Sequence, residues 1–160
     1  MKLTIRLQRE AFDAGVEMAA MTRGRTDIGA VVTFTGVCRA DENGAPIKAL
    51  TLEHYPAMAE AEIARHVEEA CARWPLHGVT VIHRYGRIEP GEIIVLVVTA
   101  SSHREAAFSA ASFLMDYLKT RAPFWKQVET RAGTDWVEAR AEDKAAAERW
   151  SGAPPEVEQP

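Results

Sequence analysis

Only five lysines stand beside fourteen arginines in this 160-residue chain, and two of them, Lys119 and Lys126, bracket one corner, LKTRAPFWK at 118–126. Ala122 precedes Pro123 and is biased away from helical backbone, so a helix should stop near Arg121. An extended strand follows, with Phe124, Lys126 and Val128 alternating onto one face. Lysines on the two sides of such a corner can converge. Ammonium groups brought together against apolar walls favour release of a proton from one of them. A lysine in that setting serves as nucleophile or proton carrier. A plainer reading also fits, with one lysine favoured by a helix C-terminus and the other a solvated strand residue.

A second cluster lies at SSHRE, 101–105. With Ser102 as N-cap, Glu105 falls at N3 and completes a capping box, leaving His103 and Arg104 at N1 and N2. Cations there oppose the helix dipole, at about 0.3–1 kcal/mol each. Either both point into water, or they join free N–H groups in holding a phosphate or carboxylate. Cys38 precedes Arg39, a neighbour that favours the thiolate, which opens a rival chemistry with Cys38 as a persulfide carrier. A small residue at a strand end is the simpler account of it. Cys38 and Cys71 form neither a CxxC nor a metal-ligand spacing, and no metal is expected.

The elements that must position these residues are legible in outline. Leu3, Ile5 and Leu7 alternate in a strand over 3–8, and 10–21 reads as a short helix. The β-branched run at 28–37 is a buried strand, and 40–46 is a polar loop with an Asn-Gly turn. Leu50 and Leu52 mark another strand. Pro56 suits a helix start, and Ile63, Val67, Ala70, Cys71 and Trp74 make one face of a helix that Pro75 ends. A strand over 78–86 leads through a Pro90-Gly91 type II turn to a strand at 92–100 buried on both faces. The helix over 103–121 carries a stripe of Ala107, Ala111, Leu114, Met115 and Leu118, and a final strand pair flanks Gly133. Without a strict βαβ rhythm the class is α+β, helices packed on a mostly antiparallel sheet. One domain is expected over 1–150, with a disordered, acidic, Pro-rich tail at 151–160.

The net charge of −4 resides in residues 132–160, which hold three cations against seven acids, whereas 103–131 holds five cations against three acids. That allows a small local anion site but not the broad basic face nucleic acid requires. The opening MKLTIRLQRE has no apolar signal region, and the run IIVLVV at 93–98 is too short to span a bilayer. A cytoplasmic chain with reduced thiols and no membrane segment is expected.

Six segments in order, VVTFTGVCR at 31–39, TLEHYPAMAE at 51–60, VIHRYGRIEPGE at 81–92, ASSHREAAF at 100–108, LKTRAPFWK at 118–126 and WVEARAEDKAAAERW at 136–150, resemble the catalytic large subunits of molybdopterin synthase. The resemblance implies an α/β-hammerhead fold with a small additional β subdomain. It implies a sulfurtransferase of molybdenum cofactor biosynthesis that converts cyclic pyranopterin monophosphate to molybdopterin, with no permanently bound cofactor. The sulfur donor would be a small ubiquitin-like subunit whose C-terminal Gly-Gly ends in a thiocarboxylate, two of them serving a homodimer to make a heterotetramer. Carried over residue by residue, the catalytic positions are Lys119 and Lys126. The substrate-binding positions are Arg39, His103 and Arg104, with Val37 and Cys38 alongside. Phe34, Met115, Gln127, Val128 and Arg140 match positions around the pocket.

One departure stands out. After the Trp-Lys pair the family usually has a basic residue and then Glu; here Gln127 and Val128 follow, and Glu129 falls on the other strand face. No acidic catalytic role is therefore carried over. A scaffold that only docks a ubiquitin-like partner remains a non-enzymatic alternative. His103 and Lys119 also lie sixteen residues apart on one helix, ~24 Å along its axis. The expectation is a two-fold dimer whose composite sites draw His103 and Arg104 from one subunit and the lysines from the other.

Overall fold

The computed structural model describes residues 1–138 and 141–152. Arg140 and residues 153–160 of the expected tail lie outside the described residues. Two sheets organise the chain. The first has the order β1-β5-β7-β2, built from β1 (Lys2–Gln8), β5 (Leu76–Arg84), β7 (Ile93–Ser101) and β2 (Ala30–Val37). β1 pairs with β5 in parallel, and the other ladders are antiparallel. The second sheet joins β3 (Asp41–Glu42), β4 (Ala45–His54), β8 (Phe124–Thr130) and β9 (Gly133–Val137), with β6 (Gly86–Ile88) also on β4.

Strand alternation sends β5 and β7 side chains into two different layers. Val79, Val81, Val95 and Val97 face α2 (Pro56–Arg73) and α3 (Arg104–Thr120), meeting Ile63, Val67, Ala110 and Leu114. Ile82, Leu96, Val98 and Ala100 face the other way and cluster with Met21 of α1 (Ala14–Thr22). β7 therefore needs apolar residues on both faces, as its sequence indicates. A smaller third cluster, of Cys38, Ile47, Leu50, Leu52, Ile88 and Val128, underlies the second sheet. The helices, the mostly antiparallel first sheet and the smaller β subdomain are those of the α/β-hammerhead fold.

Local chemistry moves several expected boundaries. The first helix begins at Ala14, not residue 10, because the Asp13 carboxylate caps it by accepting from Val16 N–H at 3.0 Å. The strand expected over 78–86 is broken at Tyr85. Gly86, at φ +83°, turns the chain out of the first sheet and into the second. The polar loop at 40–46 is a tight hairpin: Asn43 and Gly44 both have positive φ, at 54° and 81°, and Gly44 N–H donates to Asp41 Oδ1 at 3.0 Å. α4 (Ala141–Glu148) has no expected counterpart, since its alanines and charges make no apolar stripe and none of its residues is buried. What fixes this end of the chain is Asp116 on α3, whose Oδ2 accepts from Arg149 at 2.6 Å and from Trp150 Nε1 at 2.7 Å.

The capping box at the start of α3 does not form. His103, not Ser102, is the N-cap, Arg104 is the first helical residue, and no side chain caps the end. The Ser102 hydroxyl is engaged elsewhere, 2.7 Å from His77 Nε2 and 3.3 Å from Asp27 O. A tertiary pair has displaced the local rule.

Candidate active site

The C-terminal end of α3 meets both sheets, and a cleft of about 440 Å³ opens there. α3 stops where Arg121 and Ala122 N–H groups both donate to Tyr117 O, and Pro123 then redirects the chain into β8. That corner sets Lys119 and Lys126 on two walls of the same cleft, with Arg39 on a third side. Phe34, Val37 and Met115 also line it. Lys119 is exposed and Lys126 half-buried. Leu50, Leu52, Leu118 and Phe124 give the cleft apolar walls. Glu42, Glu138, Glu142 and Asp143 line it as well. Arg39, Lys119 and Lys126 among apolar walls suit the anionic group of a compact, planar ligand.

Other expected site residues are placed elsewhere. His103 and Arg104 do not reach this cleft. They are exposed at the opposite end of α3, which runs unbroken from Arg104 to Thr120 and so separates His103 from Lys119 by ~24 Å along its axis. Cys38 is only 2% exposed, inside the second sheet's core. Burial pushes its thiol up, outweighing the opposite pull of Lys126 and Arg39, so the activation that the rival persulfide chemistry needs does not occur and the simpler account of Cys38 holds. A sequestered, protonated thiol is a poor persulfide carrier. Val128 is core, 4% exposed, and Gln127 points away on the other face of β8. Glu129 lies on that far face too, 3.5 Å from Arg87 Nε.

Among the cleft residues that carry no mark in the sequence are Glu42 and His83, with Glu138, Glu142 and Asp143 beside them. Glu42, at the end of β3, puts its Oε2 3.0 Å from Arg39 Nη2 and 3.3 Å from Lys126 Nζ. His83, on β5, is buried in the wall with its ring stacked on Phe124 at 4.0 Å between centroids. Its Nδ1 lies 2.8 Å from Arg84 O, so Nδ1 carries the proton of the neutral ring and donates. Burial drives this imidazole down to about 4, with smaller contributions from the charges of His54 and Lys119. A charged residue in a turn and a histidine in an alternating strand carry no local mark of a site. Among the described residues no group of three or more His, Cys, Asp or Glu could hold a metal ion. No helix among them is long and apolar enough to cross a membrane.

Comparison with known proteins shows which family the chain resembles. A family model described as "MoaE protein" matches residues 7–121. The molybdopterin synthase catalytic subunit of Mesorhizobium japonicum is 61% identical over 152 residues, covering 94% of each chain. That of Rhizobium meliloti is 58% identical over 151 residues, covering 93% of this chain and 96% of that one. Among solved structures, the molybdopterin biosynthesis MoaE protein from Burkholderia ambifaria matches with a TM-score of 0.79 at 44% identity, covering 95% of this chain and 99% of that chain.

Proposed function

The chain belongs to the MoaE family of molybdopterin synthase catalytic subunits, and from that premise we propose that it transfers sulfur from the C-terminal thiocarboxylate of a small ubiquitin-like partner to cyclic pyranopterin monophosphate. The observation that carries the proposal is the convergence of Arg39, Lys119 and Lys126 on one apolar-walled cleft. An open cleft admits an extended Gly-Gly tail, which has no side chains to obstruct entry. Lys119 stands beside the thiocarboxylate carbon and acts on it by covalent or acid–base chemistry. Lys126 moves a proton or holds the substrate. Arg39 meets the substrate phosphate as a planar fork of donors.

The length of α3 supports the second half of the proposal. A compact pterin cannot bridge His103 and Lys119 on one chain. In a homodimer with antiparallel contact, His103 and Arg104 of one subunit complete the phosphate cradle facing the lysines of the other. With one small subunit at each site the assembly is a heterotetramer, working in the cytoplasm without a resident cofactor.

Reconstitution tests this. The purified chain, the pyranopterin and a thiocarboxylated partner should yield molybdopterin. Lys119→Ala should abolish nearly all product and Lys126→Ala most of it, with circular dichroism unchanged. Lys119→Arg should fail to rescue, because guanidinium stays protonated. Near-wild-type turnover by either alanine variant with saturating partner would remove that lysine from the chemistry. No product from the unaltered chain would return it to the role of scaffold. Cys38→Ala should remain active.

A further inference from the structure

We infer that Glu42 is a positioning residue for this reaction, its carboxylate holding Lys126 and Arg39 in register at the cleft. The inference rests on the function proposed above. A single oxygen, Oε2, meets both cations, Arg39 Nη2 at 3.0 Å and Lys126 Nζ at 3.3 Å. The Glu42 side chain is 12% exposed, whereas Arg39 is 61% and Lys126 31%. The acid is thus the sheltered member, and the two cations extend from it toward the opening.

The fold builds this contact over a distance. Glu42 pairs with Ala45 at one end of β4, while Lys126 pairs with Leu52 near the other end. A flat ladder would hold them far apart, and the register shift between Ile47 and Ala49 is where β4 departs from one. The Asn43-Gly44 turn then fixes the short strand that bears Glu42. β8 supplies no acid of its own on the lysine's face: Val128 is apolar and buried, and Glu129 is across the strand with Arg87. Glu42 therefore supplies a fixed negative charge from a different element. It offsets the mutual repulsion of Arg39 and Lys126 and limits the rotamers of two long side chains.

The test is steady-state kinetics of the full chain with thiocarboxylated partner and pyranopterin, comparing wild type, Glu42→Gln, Lys126→Ala and the double variant. Glu42→Gln is isosteric and leaves the hairpin's backbone contacts in place, so the variant should fold, with circular dichroism unchanged. Loss of a charge-assisted contact predicts a kcat about 10- to 100-fold lower. KM for the partner should stay within about twofold, because the acid touches the lysine and not the tail. The double variant should be slower than Lys126→Ala only by what Arg39 loses, and so by less than the product of the two single losses, since both changes act on one coupled unit. Wild-type kcat in Glu42→Gln, while Lys126→Ala is impaired, would overturn the role of Glu42 and leave the lysine chemistry standing. Multiplying losses in the double variant would overturn it as well. Full activity of Lys126→Ala would instead bring down the underlying reading.

Discussion

At the scale of single residues, the buried His83 ties the cleft to pH. Desolvation lowers its folded value to about 4 from an ordinary 6.5. Below pH 6.5 the unfolded chain takes up a proton that the folded chain refuses until about pH 4. The stability this contributes is fully present above the unfolded value and drains away as pH falls through that window. The loss reaches roughly 3 kcal/mol below it. His83→Phe keeps an aromatic stack on Phe124 and removes the titration. Urea denaturation between pH 7 and 4 should show the variant losing stability less steeply than wild type. His66, also pushed down mainly by burial, titrates in both proteins and cancels in the comparison, whereas His54, whose charge adds to the downward shift of His83, is part of the effect being compared. Identical slopes would show that His83 is not held neutral by the fold. The residues that were legible in advance, Lys119 and Lys126, announced themselves by rarity and by a Pro-marked corner. Glu42 and His83 were not, because what makes them part of the site is an ion pair between distant elements and a ring packed against Phe124. Neither is written in a local spacing.

Among the elements, α3 was readable almost in full. Its apolar stripe of Ala107, Ala111 and Leu114 is buried as the spacing requires, and its C-terminal end falls where Pro123 places it. Only its cap was misassigned, because Ser102 found a better partner in His77. The continuity of this helix yields a test of the composite site. Arg104→Ala and Lys119→Ala chains, each inactive alone, should complement when mixed and allowed to exchange subunits. A mixed dimer holds one doubly damaged site and one intact site, so random exchange should restore activity toward about a quarter of wild type. Proven heterodimers without recovered product would refute sharing of residues across the dimer. The final helix was missed for the opposite reason: α4 has no buried face of its own, so no periodicity marks it, and the chain end is held by a pair of bonds to Asp116.

For the molecule as a whole, an α+β class followed from the mixture of periods, but the division into two sheets did not. That division is made at Gly86, where a residue expected within one strand sends the chain into another. The two sheets are unequally supported. β7 is buried through most of its length, whereas β9 is exposed along most of its length. Hydrogen exchange should therefore find β7 amides opening only with global unfolding and β9 amides at a much lower free energy. Equal protection of both would contradict two separately supported layers. The parallel ladder between β1 and β5 has a consequence of another kind. Lys2 lies opposite Gly78, so β1 has no partner until β5 has been synthesised. β5 and β7 can zip over a short connection, but docking β1 must close a loop spanning about half the chain, and that entropy cost delays it. On the ribosome, Leu3, Ile5 and Leu7 emerge as an alternating strand with an unclaimed edge and wait through α1, β2 and α2. That interval is when a nascent chain of this design is most open to pairing with the wrong neighbour, and when a chaperone has most to shield.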